Sequence, residues 1–426
     1  MTKRLISIAA AAAMIFGAVG TASATQSRIR SMGGGIKQLT VLDETNIFFL
    51  PAEIVKYGTW AAIEMGAADV TGGKNNADAG TNNSFQIHYN FNPTSVLGVY
   101  GSTNDVNSIR LGQRLGMGGV DWTQDALLAA GPGLPPEANQ TDVDGGHKGT
   151  IFYGHDLGNA RIGFMLGAFS DGLATFDTDN NIKANNGALV IDFGFGAGFA
   201  AGPGDIDLGL LVSLAFPTNE DSEGALVEAN QFDIGLVFRG AFPFSGPHEI
   251  VPFAVMDLGF GSGQNLAADP SPTFSGFLFN FTAGVDIRLN LGDGITVQPG
   301  IGFSGGIVNR AQDNDGIISN RSAHQFTFPF YNLAVDVKVT DWLDIRFGGA
   351  QRVYWVWNNG DDDGAQIETS TESRVDSSIS TGLGFNLPAG ISLDVEVSTG
   401  WWQRGPYLLS GDGGGFGVNA ALSKDW

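Results

Sequence analysis

Residues 331–357 read YNLAVDVKVTDWLDIRFGGAQRVYWVW, and this stretch decides the fold. Tyr331, Leu333, Val335, Val337 and Val339 alternate with Asn332, Ala334, Asp336, Lys338 and Thr340. After Asp341-Trp342 the alternation resumes, with Leu343, Ile345, Phe347, Val353, Trp355 and Trp357 on one face and Asp344, Arg346 and Arg352 on the other. A period of two is the signature of a β-strand. With Thr340, Asp341 and Trp342 as a three-residue loop, Val339 faces Leu343, Lys338 faces Asp344 and Asp336 faces Arg346, so two opposite-charge pairs fall on the polar face. An apolar face backed by a charged one, in strands of ten or more residues ending in Trp, is what a barrel wall needs with lipid outside and water inside.

The start of the chain points to export. Lys3 and Arg4 precede an apolar run from Leu5 to Val19 and the small-x-small site Ala22-Ser23-Ala24. The run is shorter than the roughly 18–20 residues of a spanning helix, so residues 1–24 read as a secretory signal peptide. The net charge is −22, which gives no electrostatic reason to bind nucleic acid. With no cysteine in the chain, a disulfide framework and a thiolate metal site are excluded. The 63 glycines sit among alternating strands, which argues against disorder.

Residues 25–56 do not alternate and are too polar and broken for lipid contact; they are expected inside the barrel or beneath it, with the barrel itself spanning 57–426. Residues 103–148 form the longest insertion. Beyond it short turns at Gly158-Asn159, 202–204, 244–247, 292–294, 340–342 and 388–390 alternate with long loops at about 171–186, 217–229, 261–273, 308–322, 358–373 and 403–414. With the turn Asn92-Pro93-Thr94 this pattern predicts sixteen antiparallel strands, fourteen being the alternative, with short turns and both termini at the periplasmic end. Pro252, Pro299 and Pro329 fall inside strands, where a missing N–H predicts bulges. Trp426, an aromatic last residue, resembles the insertion signal of bacterial outer-membrane barrels.

Met32-Gly33-Gly34-Gly35 followed by Asp43, Asn46 and Pro51-Ala52 resembles the N-terminal region of the long-chain fatty-acid transporters. In that family the segment forms a plug carrying Asn-Pro-Ala; here Leu50 replaces the Asn. The resemblance implies that Asp43, Asn46 and Pro51 belong to a plug. Strand number, the long third-strand loop and the terminal aromatic resemble general porins instead, and imply an open, water-filled pore.

The register places Asp192, Asp207, Asp233, Asp257, Asp286, Asp336, Asp344, Asp394 and Glu396 inward against Arg239, Arg288, Lys338, Arg346 and Arg352. In a wide aqueous lumen such an acidic surplus is tolerated, whereas a plugged lumen requires close pairing, because a desolvated charge costs several kcal/mol. The expectation is therefore an outer-membrane channel of a Gram-negative bacterium for passive movement of small solutes, mildly cation-preferring. The alternatives are a plugged barrel transporting hydrophobic molecules such as fatty acids, and a secretion-accessory or structural barrel. Expected partners are outer-membrane lipid and lipopolysaccharide, the barrel-assembly machinery during insertion, and small solutes. The five histidines are scattered and no Gly-x-Ser-x-Gly or His-Glu-x-x-His accompanies them, so no enzyme is expected. Gly194-x-Gly196-x-Gly198 reads as a lumenal glycine stripe. Asp313-Asn314-Asp315-Gly316 and Asp361-Asp362-Asp363 lack the Glu of a calcium loop, and neither a metal nor a cofactor is expected.

Overall fold

The computed structural model describes residues 26–32, 36–66, 83–103, 147–176, 182–221, 226–265, 271–292, 294–362, 365–397 and 418–425. Residues 1–25 (which include the expected signal peptide), Gly33-Gly34-Gly35, most of the 103–148 insertion and Trp426 lie outside them. Sixteen strands run β1 Trp60–Gly66, β2 Asn83–Asn92, β3 Ser95–Thr103, β4 His147–Asp156, β5 Ala160–Phe176, β6 Ile182–Ala201, β7 Gly204–Asp221 and β8 Leu226–Ser245. They continue as β9 His248–Asn265, β10 Thr273–Asn290, β11 Ile295–Asn314, β12 Ile317–Thr340, β13 Leu343–Asp362, β14 Ala365–Leu387, β15 Ile391–Val397 and β16 Val418–Asp425. Each pairs with its neighbours in sequence, and β1 pairs antiparallel with β16, so the sheet closes into a barrel of the predicted sixteen strands. Closure leaves the sheet without an edge strand, the condition for crossing lipid with β-structure.

The exterior carries the apolar half of the alternation. Leu210 stands opposite Phe195 on one side and Leu236 on the other, and all three are exposed. Aromatics mark the two rims: Trp342 stacks on Phe385 with ring centroids 6.4 Å apart at the short-turn end, and Phe326 on Trp355 at 6.1 Å further out. Apolar side chains that face water in isolation are covered in a bilayer, so this surface defines an integral barrel of the Gram-negative outer membrane.

Three expectations change. The long loops placed at 171–186, 217–229, 308–322 and 358–373 consist largely of strand, because β5 to β14 run for 17 to 24 residues each. About 9–11 residues span the membrane, so these strands extend beyond it. There both faces meet water and the alternation that betrays a strand disappears. The β11–β12 connection shrinks to a tight Asp315-Gly316 turn at positive φ, capped by Gly316 N–H donating to Asp313 at 2.8 Å. Second, Thr340 pairs with Leu343 and leaves Val339 in a bulge, so the β12–β13 turn is shorter than expected, although Lys338 still stands opposite Asp344 and Asp336 opposite Arg346. Third, of the three strand prolines, Pro329 sits in a register shift between Thr327 and Phe330, whereas Pro252 and Pro299 hold register.

The position of the membrane has a direct test. Leu210→Arg puts a cation on the lipid face and should cost about 2–4 kcal/mol of unfolding free energy in vesicles, whereas Ile317→Arg at the projecting hairpin tip should stay within about 0.5 kcal/mol. Urea titration of the folded barrel reads both; equal costs would place the bilayer elsewhere.

Candidate functional site

The non-strand N-terminal segment occupies the lumen. Helix Gln26–Ser31 packs on the inner wall of β13 to β16, a short helix Lys37–Thr40 follows, and 3-10 helices Glu44–Phe48 and Pro51–Lys56 complete a plug, the last lying against β3 to β6. Its local structure is set by side chains. Asp43 accepts from Thr45 N–H at 2.9 Å while the Asn46 side chain accepts from Asp43 N–H at 3.1 Å, a reciprocal cap. Pro51 opens the next 3-10 helix, where its missing N–H costs nothing.

Two kinds of contact seat the plug. On one side Phe48, Phe49, Leu50 and Ile54 are buried with Tyr100, Phe152, Met165, Leu211, Val237, Phe253, Val255 and Phe330 of the inner wall. Phe48 meets Tyr100 and Phe152 edge-on, with centroids at 4.9 and 5.2 Å. Each such side chain contributes about 1.5–3 kcal/mol by its removal from water. The close approach is made possible by inward glycines: a Cβ on Gly163, Gly196 or Gly209 would fall under 3.0 Å from the backbone of residues 49–52, and one on Gly98 or Gly154 would meet Ile54. The glycine stripe expected at 194–198 is thus lumenal, and Gly196 is part of the track on which Pro51-Ala52 lies.

The plug is also fixed by ion pairs. Arg239, fully buried, binds Glu53 at 2.8 Å and Asp207 at 2.7 Å, and donates to Asn46 Oδ1 at 2.6 Å and Leu39 O at 3.2 Å. Arg161 reaches the same two carboxylates at 3.5 and 3.0 Å. Lys37 binds Asp286 at 2.6 Å beside Thr40, whose hydroxyl donates to the same oxygen at 2.6 Å; Arg288 donates to Thr40 O at 2.9 Å. Arg28 bridges Asp336 at 3.0 Å and Asp43 at 3.4 Å. Burial pushes Lys37 below the usual lysine range although Asp286 opposes the shift.

The plug candidates Asp43, Asn46 and Pro51 are all buried in this segment. Of the inward set, Asp192, Asp207, Asp233, Asp257, Arg239, Asp286, Arg288, Arg346, Asp394 and Glu396 are buried, not wet. Asp207, Arg239, Asp286, Arg288 and Asp336 hold or brace the plug as described, and Arg346 gathers Asp394, Asp336 and Asp344. Asp192 meets Lys148 at 3.6 Å further out. Lys338 stands opposite Asp344 as expected, yet it lies half-exposed at the turn and its ammonium pairs with Asp341 at 2.9 Å. Arg352 stands opposite Asp376. The sequence reading missed Arg28, Lys37 and Glu53. Each lies in a stretch without periodicity, where nothing marks which charge meets the wall.

No protein-family profile matches the chain, and no curated protein matches it. Among solved structures it is similar to the ferric yersiniabactin uptake receptor FyuA from Yersinia pestis (9% identity, 87% of this chain and 80% of that one, TM-score 0.37). It is also similar to the alcaligin outer membrane receptor FauA from Bordetella pertussis (9%, 86% and 76%, TM-score 0.39). A third is the siderophore receptor PirA from Acinetobacter baumannii (9%, 87% and 80%, TM-score 0.35). At such identity and scores the likeness says nothing of ligand or mechanism. The expected passive, cation-preferring channel for small solutes is corrected by the lumen itself, because residues 36–57 lie within it and Asp207, Arg239, Asp286 and Arg288, counted as wet, are buried where the segment meets the wall.

Arg239→Ala leaves Glu53 and Asp207 without this guanidinium, and breaking a buried pair costs about 3–5 kcal/mol. The chain lacks cysteine, so Ile47→Cys, fully buried in the plug, is a unique reporter. Its labelling by a maleimide polymer in folded barrels should quicken at least roughly 100-fold in the Arg239→Ala background; an unchanged rate would show that Arg239 does not hold the plug.

Proposed function

We propose that the protein is a plugged-barrel transporter that admits hydrophobic small molecules across the outer membrane when the N-terminal segment yields. The observation that carries this reading is the order of inward residues along β7 to β9 from the short-turn end. On β7 it is Asp207, Leu211, Ser213; on β8 Arg239, Val237, Asp233; on β9 Glu249, then Phe253 and Val255, then Asp257. A band of apolar wall is thus bracketed by two polar zones, and the plug's Phe48, Phe49, Leu50 and Ile54 cover it.

An apolar constriction favours dewetting and opposes ion flow. For a hydrophobic molecule the same band is a binding surface, worth about 25 cal/mol per Å² of apolar area buried. Such a molecule replaces the contacts the plug gives up, which is the differential affinity a ligand needs to shift a closed-open equilibrium. A polar solute replaces none of them. The N-terminal resemblance to the fatty-acid transporters supports the same reading through Asp43, Asn46 and Pro51-Ala52. Removal of the signal peptide 1–24 and delivery to the barrel-assembly machinery belong to the proposal.

Gram-negative cells producing the protein should take up an apolar naphthylamine dye faster than cells without it, and Val237→Asp with Phe253→Asp should abolish the gain. Uptake of a polar sugar should not change. Sugar uptake that rises while dye uptake does not would contradict the hydrophobic-substrate reading.

A further inference from the structure

One carboxylate of the plug is buried with its closest neighbours mostly acidic. Glu44 is 1% exposed, and neither of its oxygens has a hydrogen-bond partner. Facing it are Asp43 of the plug, Arg28 of helix Gln26–Ser31 and Asp394 of β15. The Tyr57 hydroxyl shares the same field. Behind them stand Asp336 of β12 and Asp344 and Arg346 of β13. Carboxylates outnumber guanidiniums five to two. Arg28 is already divided between Asp43 and Asp336, and Arg346 among Asp394, Asp336 and Asp344. By contrast, Glu53 of the plug meets Arg239 directly, and Asp286 of β10 meets Lys37.

An ionised carboxylate buried at this spot, beside Asp43 and facing an Arg28 already shared between two other acids, costs several kcal/mol, so the seated plug favours the neutral acid. We propose that Glu44 is a proton-held latch. Protonated, it lets helix Gln26–Ser31 and residues 41–44 rest against β12 to β15; ionised, it drives that part of the plug off the wall while Pro51–Lys56 stays on its glycine track. The proposal rests on the plug being able to yield.

The direction of the pH dependence follows from burial. It raises Asp43 from 3.8 to about 6, against the pull of Arg28, and lifts Glu44 well above 4.5 with Asp43 adding to the rise. Acids with raised values bind more protons in the seated state, so seating is strongest below the ordinary carboxylate range and weakens as pH rises through the raised ones. The Asp43 step lies between 3.8 and about 6, and the Glu44 step begins above 4.5.

The test uses the full chain in vesicles with the Ile47→Cys reporter, with and without Glu44→Gln. Because both proteins carry the same thiol, the ratio of their labelling rates cancels the pH dependence of the thiolate. The ratio of the Glu44 protein to the E44Q protein should be near one at about pH 5.5 and rise to roughly tenfold or more by about pH 9, one unit of linkage being a factor of ten. A ratio that stays flat overturns the latch. If E44Q does not insert, judged by heat-modifiable migration, Glu44→Met supplies an uncharged side chain of similar length for the same comparison. A naphthylamine dye added at about pH 7 separates the two claims. Labelling that responds to dye but not to pH refutes the latch and leaves the transporter reading standing, whereas labelling that responds to neither refutes both.

Discussion

The structure depends on one guanidinium. Arg239, on the eighth strand and fully buried, joins the barrel to Glu53, Asn46 and the Leu39 carbonyl of the plug while Asp207 holds it from the neighbouring strand. A planar fork with five donors is suited to this, since one side chain satisfies two carboxylates and two further acceptors in a fixed geometry. Removing such a charge from water is costly. The compensation is that the non-periodic N-terminal segment acquires a defined position inside a wall that could otherwise accept many.

Around that knot wall and plug are complementary. Small residues on β3 to β7 admit the backbone of residues 49–52 and the Ile54 side chain, aromatic and aliphatic side chains seal against it, and charges ring the short-turn end. The two seating surfaces differ in kind. The side on the glycine track is apolar, with Glu53 bound by Arg239 and Arg161, while the side facing β12 to β15 holds five carboxylates, Glu44 among them, around Arg28 and Arg346. A segment held firmly at one edge and conditionally at the other is the arrangement a gate requires.

Much of the barrel was legible because lipid imposes a period of two. Residues 343–357 and 391–397 reveal their faces, and the turns at 388–390 and 292–294 reveal their register. Outside the bilayer the constraint lapses, so residues 308–314 and 317–322 looked like loop although they are strand. Inside the lumen the sequence identified the charged positions but not their surroundings. Asp207, Arg239 and Asp286 are inward in either an open or a filled barrel, and only the placement of Lys37 and Glu53 distinguishes the two. Asp43, Asn46 and Pro51 were found through a resemblance, whereas Arg28 and Glu44 carry no pattern of their own. The surplus of acid over base was read as a sign of water, whereas Asp286 and Asp336 are paired with Lys37 and Arg28 of the N-terminal segment.

Single-channel conductance in planar bilayers tests the central claim most directly. If the plug seals the lumen, the intact protein passes almost no current and a variant lacking residues 26–57 opens a large, steady pore, as expected for sixteen strands with nothing inside. Equal, open-pore conductance from both would contradict the account, because it would mean that the segment does not close the barrel.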